Sequence, residues 1–161
     1  MSREFLGSRV SKDEQEVETS RLRTDFMKKG IKIACDYYSK QNQRMPKQII
    51  VYRDALGGPS MVDKCYKIEV PAILASLGEF TKNQNTKLVY CFVNQKLNQR
   101  FFVKNNGGFI NAGAGTVIDS QLVKSQGDNE YEFFMVPHNA TVATAMPVQF
   151  VVKYNDSAFD K

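Results

Sequence analysis

The sequence predicts an α/β domain: a sheet with covering helices and a β-rich region appended at its carboxyl end. Three observations carry that expectation. The segments run helix, strand, helix, strand and then several strands in succession. Two β-branched, apolar runs without alternation, residues 48–53 and 87–94, read as strands buried on both faces of a mainly parallel sheet. No repeat, low-complexity tract or Pro/Gly/Ser-rich linker interrupts the 161 residues, so they read as one continuous domain.

Residues 16–39 have the pattern of an amphipathic helix. Leu22, Phe26, Gly30, Ile33 and Tyr37 recur at spacings of four, four, three and four, Ile31, Ala34 and Tyr38 widen the stripe, and lysines lie opposite. Pro46 closes the connection that follows. The first strand then runs to Asp54 and breaks into the turn Ala55-Leu-Gly-Gly-Pro59. Ser60 is suited to cap a second helix, with Met61, Cys65, Ile68, Ile73, Leu74 and Leu77 as its apolar side and Pro71 expected to kink or divide it. After the second strand, residues 100–104, 115–119, 131–136 and 148–154 are β-rich and separated by Asn/Gly turns such as Asn105-Asn-Gly-Gly108.

Composition narrows the chemistry. A hydrophobic fraction of 42% supports a core, and 24% charged residues is too ordinary for a disordered chain. A Ser-His-Asp relay would have to use His138, the single histidine, and a zinc site would need that residue with Cys35, Cys65 and Cys91, which form no C-x-x-C pair. The odd number of thiols and a start without a signal peptide's apolar segment point to buried, reduced cysteines in an intracellular protein, cytoplasmic or nuclear. The longest apolar run, Leu88-Val-Tyr-Cys-Phe-Val93, is too short to span a bilayer, so no membrane association is expected. The sequons Asn139-Ala-Thr141 and Asn155-Asp-Ser157 are then chance matches. No phosphate-binding G-x-x-x-x-G-K motif is present, and Gly113-Ala-Gly115 reads as a turn before a strand, so no small-molecule cofactor is expected.

The net charge of +5 is clustered. Residues 21–53 carry nine basic and two acidic side chains (+7), and residues 82–104 carry five basic and none acidic (+5), on an acidic background. Such blocks are the electrostatic footprint of a polyanion binder, although Lys28, Lys29 and Lys32 also fit the solvated face of a helix.

Two constellations could carry chemistry. Open sheets place their sites beyond the carboxyl ends of strands, and the first strand delivers Arg53 and Asp54 to such an edge. A carboxylate there suits Mg²⁺ or Mn²⁺ in two-metal phosphodiester hydrolysis; equally, it could cap the turn or pair with Arg53. The second constellation, Asn94-Gln-Lys-Leu-Asn-Gln-Arg-Phe-Phe102, presents Lys96 and Arg100 among amides suited to phosphate and ribose contacts. Phe101 and Phe102 run into Val103 and read as core rather than as base-stacking platforms.

In order, these segments resemble the Piwi domain of Argonaute/Piwi proteins over about residues 8–156. Pro46-Lys-Gln-Ile-Ile-Val-Tyr-Arg-Asp54 is similar to P-x-x-I-I-x-Y-R-D-G-V, and Ile68-Glu-Val-Pro71 to Y-E-I-P. Val93-Asn-Gln-Lys-Leu-Asn-Gln-Arg-Phe-Phe102 is similar to V-N-K-R-I-N-x-R-F-F, and Gly115-Thr-Val-Ile-Asp119 to P-G-T-V-V-D. Phe133-Phe-Met-Val-Pro-His138, through Thr144 and Pro147, resembles F-Y-L-x-S-H followed by G-T-x-x-P, and Ser8-Arg9-Val10 matches an S-R-V before the first helix. The resemblance implies an RNase H-like fold: a mixed sheet with covering helices, present here as a partial Piwi domain spanning residues 1–161.

It also implies function. Family members that cut RNA use Asp, Glu, Asp and His around two divalent metals. Asp54 matches the second aspartate, and with it a possible Mg²⁺ or Mn²⁺ ligand; Glu18, or alternatively Glu16, matches the glutamate. The first aspartate would lie before Met1 and the final histidine after Lys161, so slicing by this chain alone is not expected. Lys96, Arg100, Gln95, Arg53, His138 and Thr144 are the implied contacts to a small guide RNA and its complementary RNA. Ala55 and Ala143 stand where the family has glycine, and Gln95 where it has lysine. In RNase H-like sheets the first-aspartate strand pairs with the strand ending at Asp54, so Ile49-Ile-Val51 is expected to form an apolar edge open to homo-association.

Overall fold

The computed structural model describes residues 12–55, 58–80, 86–120 and 130–156; the side chains of residues 12–16, 58–61 and 64 lie outside that description. The order is α1 (Lys12–Asn42), β1 (Gln48–Asp54), α2 (Gly58–Phe80), β2 (Lys87–Asn94), β3 (Phe102–Asn105), β4 (Gly108–Asn111), β5 (Val117–Ile118), β6 (Tyr131–Met135) and β7 (Val148–Asn155). Five strands make one sheet in the order β1-β2-β7-β6-β5, while β3 and β4 form a separate ribbon. β1 and β2 are parallel, in register from Gln48 opposite Lys87 to Asp54 opposite Val93, as a β-α-β crossover through α2 requires. The other neighbours in the sheet are antiparallel. None of the described helices is long and apolar enough to cross a membrane.

The mixed α/β architecture agrees with the element order, but a mainly parallel sheet does not form: one strand pair is parallel. β1 is not buried on both faces either. Along it Gln48, Ile50, Tyr52 and Asp54 are exposed and Ile49, Val51 and Arg53 are half-buried. It is an edge strand with one face on the core, and an unbroken apolar run hides that alternation. β2 is the strand buried on both sides. Leu88, Tyr90 and Phe92 face the helices, in one cluster with Ile31, Cys35, Cys65, Val70, Ile73 and Leu77. Val89 and Cys91 face the other way, with Val152, under the rings of Tyr131, Phe133 and Phe150. The Phe133 and Phe150 rings stack there at 4.8 Å.

The helices depart from expectation in three ways. α1 buries Ile31 and Cys35, with Met27 packed beside them, whereas the predicted stripe is exposed: Leu22 64%, Phe26 74%, Ile33 58% and Tyr37 68%. At 100° per residue those two rows lie on nearly opposite sides, and both are apolar. The small residues decide. α1 packs on a surface of α2 bearing the buried Cys65, Ala72 and Ser76, close enough for Ser76 Oγ to donate to the Lys28 carbonyl at 3.3 Å and for Arg23 to donate to Cys65 Sγ at 3.4 Å. Phe26 and Tyr37 would hold the helices apart. Second, Pro71 does not divide α2, which is continuous from Gly58 to Phe80. Pro71 and Lys67 are both exposed, so water can take the hydrogen bond that the Lys67 carbonyl loses to the imino acid. Third, Ser60 lies within the helix that Gly58 begins, so it is not the cap.

Candidate nucleic-acid interface

The basic motif after β2 folds as a pinned loop. Leu97 is buried and anchors it, and Asn94 closes its entry by accepting a hydrogen bond from the Lys96 amide at 3.2 Å while donating to Gln149 Oε1 at 3.1 Å. Gln95 and Lys96 are left exposed at its tip. Arg100 turns back across the loop: its Nη1 donates to the carbonyls of Leu97 at 2.8 Å and Gln99 at 2.7 Å, and its Nε to Thr144 Oγ1 at 3.2 Å. Two candidate contact residues 44 positions apart therefore meet. These bonds engage Nε and Nη1 and fix the direction of the guanidinium, which preorganises the cation for an anion.

Thr144 belongs to the loop between β6 and β7, which also carries the exposed His138. The ribbon holds that loop. Asn111 at the end of β4 donates to the Ala143 carbonyl at 2.9 Å and accepts from the Ala145 amide at 3.1 Å, and Asn139 Oδ1 accepts from the Ala114 amide at 2.8 Å. Ala143 has φ of 65°, a left-handed conformation that favours glycine, which fits the glycine of the G-T-x-x-P motif that this stretch resembles. Gly115 (φ 85°) turns the chain into β5, in agreement with the turn reading of Gly113-Ala-Gly115.

Phe101 and Phe102 separate. Phe101 packs against the small cluster of Ala112, Val136 and Ala145, with its ring edge-on to Phe134 at 5.5 Å. Phe102 is 48% exposed on the ribbon and is not core. The two alternate on a β segment, so one must face away from whatever buries the other.

At the other locus, Asp54 ends β1 with an exposed side chain. Arg53 does not pair with it. Its Nε donates to both oxygens of Glu69, at 3.4 and 3.2 Å, and its Nη1 to the Asp54 carbonyl at 3.3 Å, while the Tyr90 hydroxyl donates to Glu69 Oε2. Glu69 is 2% exposed, a buried carboxylate satisfied from β1 and β2 together. Burial lowers the Arg53 pKa, and the charge and hydrogen bond of Glu69 more than reverse that. Burial first, then the bond to Glu69, pushes the Tyr90 phenol far above its usual range. The sequence held a signal for this: Cys65, Glu69 and Ile73 are spaced by four on the apolar side of α2, and a carboxylate in that row needs a partner. Arg53 is thus committed to Glu69.

Among the described residues no three His, Cys, Asp or Glu side chains converge, so those residues do not by themselves make up a divalent-metal site around Asp54. Glu18 is exposed in the second turn of α1, and the Glu16 side chain lies outside the described residues. All three cysteines are free and buried. Burial pushes the Cys91 thiol up to about 12 and raises that of Cys35 as well, which makes neither a nucleophile at neutral pH.

The family model for the Piwi domain matches residues 5–161. Piwi-like protein Ago3 of Bombyx mori is 30% identical over 124 residues, covering 77% of this chain and 13% of that protein. The crystal structure of Drosophila Piwi superposes with a TM-score of 0.67 at 26% identity, over 81% of this chain and 17% of that one. Kluyveromyces polysporus Argonaute with a guide RNA has the same fold, with a TM-score of 0.55 at 20% identity over 77% of this chain and 16% of its own. The chain therefore spans less than a fifth of the length of these proteins.

Proposed function

The chain belongs to the Piwi domain family, and on that premise we propose that it is an RNA-binding module in RNA silencing, holding the sugar-phosphate backbone of a small guide RNA or of its duplex with a target. Lys96 and Arg100 supply the cations, Gln95 and Thr144 the neutral polar contacts, and His138 a further donor from the β6–β7 loop. Arg53, tied to Glu69, is left out of this set. The observation that carries the reading is the join between the two loops: Arg100 on Thr144, in a stretch from Lys82 to Ile118 without one Asp or Glu. Such an array recognises phosphate and shape rather than base sequence. An intracellular site of action, cytoplasmic or nuclear, goes with it.

The test is RNA binding across a salt series. Lys96→Ala combined with Arg100→Ala is expected to remove most of the affinity for a small RNA and to reduce the slope of log affinity against log salt by about two. Unchanged affinity and slope would overturn the reading and leave a fragment that keeps the fold for protein interactions alone.

A second reading is favoured by Asp54, exposed at the carboxyl end of the parallel strand pair and beside the outer edge of β1, which has no partner strand among the described residues. In a complete protein it would hold Mg²⁺ or Mn²⁺ for RNA cleavage with groups from outside the described residues. Mg²⁺-dependent cleavage of a guide-matched RNA by that protein, abolished by Asp54→Ala, would establish it; retained cleavage would reject it.

A further inference from the structure

The β3–β4 ribbon has an aromatic surface that backbone binding does not use. Register places Phe102 opposite Asn111 and Lys104 opposite Phe109, so these four side chains share one face of the ribbon, with the two rings on a cross-strand diagonal. Both rings are open to solvent, Phe102 at 48% and Phe109 at 75%. They line a groove of about 500 Å³ whose far wall is Ala140, Ala143 and Thr144, the last being the residue that accepts from Arg100. The ribbon is held to that wall by the two hydrogen bonds of Asn111, so rings and cation keep a fixed relation.

We propose that Phe102 and Phe109 form a stacking platform for an unpaired nucleobase of the bound RNA, whose adjoining phosphate lies against Arg100. This rests on the backbone-binding reading and extends it from phosphate to base. Electrostatics selects the occupant. The rings are flanked by Arg100 and Lys104, and the chain from Lys82 to Ile118 carries no acid. Exposed aromatic rings interleaved with cations are how proteins take up single-stranded nucleic acid: the backbone follows the charge and the bases cover the rings. The platform is sequence-tolerant, because every base has a π face.

The chain contains no tryptophan, so Phe109→Trp supplies a reporter. In the 161-residue chain, a uridine decamer is expected to quench the introduced indole fluorescence, and an abasic decamer with the same phosphates is not. Phe109→Ala is expected to weaken decamer binding about tenfold, with the salt slope and abasic binding unchanged, and Phe109→Tyr to restore affinity. Unquenched indole together with wild-type affinity in Phe109→Ala would overturn the platform while leaving the backbone reading intact. Equal losses on both oligomers would also overturn it, by giving the ribbon a structural role or one in docking protein. Failure of the unmodified chain to bind either oligomer at any salt concentration would instead reject the backbone reading, and the platform with it.

Discussion

The two ends of this molecule are built by different forces. At the helical end nine buried residues from α1, α2 and β2 form one cluster, with Ile73, Leu88 and Tyr90 fully excluded from solvent. At the ribbon end the corresponding cluster is three small residues, Ala112, Val136 and Ala145. There the chain is held by side chains bonded to backbone across long sequence separations, Asn111 to residues 143 and 145 and Asn139 to Ala114, while Arg100 is bonded within its own loop. Apolar burial is non-directional and makes a frame; hydrogen bonds are directional and can aim a cation. The candidate site lies at the end built by hydrogen bonds.

That contrast can be broken from either side. The largest effect is expected at the frame: Ile73→Ala leaves a cavity in the main cluster and should cost about 2–5 kcal/mol, read as a shift in the denaturant midpoint. Loss below 1 kcal/mol would mean that the cluster is not what holds the fold. Asn111→Ala should cost about 1–2 kcal/mol by removing two bonds, and it should weaken RNA binding although no charge is lost. Unchanged affinity would separate the ribbon from the site. Ala143→Gly should stabilise the chain by about 0.5–1 kcal/mol by relieving a positive φ; thermal unfolding would show the sign. Smallest in stability is Ile50→Lys, within about 0.5 kcal/mol because the side chain is 46% exposed. Its readout is size: the unmodified chain is expected to self-associate through the edge of β1 that has no partner strand among the described residues, and the lysine to suppress this. A unmodified chain that stays monomeric at high concentration would contradict the edge argument.

Much of the fold was legible because its signals are local. The two long runs became β1 and β2 within a residue of their expected ends and the three thiols are buried, whereas Gly58 and Pro59 of the expected turn instead begin α2, and residues 56–57 lie outside the described ones. β4 was missed, since Gly108-Phe-Ile-Asn111 is too short to stand out from the turn before it. Of the site, the loop with Lys96 and Arg100 could be read from charge and spacing. Glu69 as the partner of Arg53 was overlooked, although its place in an apolar row marked it.

By itself the sequence determined the order of the helices and the longer strands, where positive charge accumulates and which family motifs recur, because each follows from residues adjacent along the chain. Tertiary structure decided which of two apolar rows of α1 is buried, that β1 has one covered face, that Phe101 goes inward and Phe102 outward, and that Arg100 finds Thr144. Each of those outcomes depends on the shape and hydrogen-bonding groups of a surface contributed by distant residues. Periodicity says that a face is apolar; only the packed partner says which face is used.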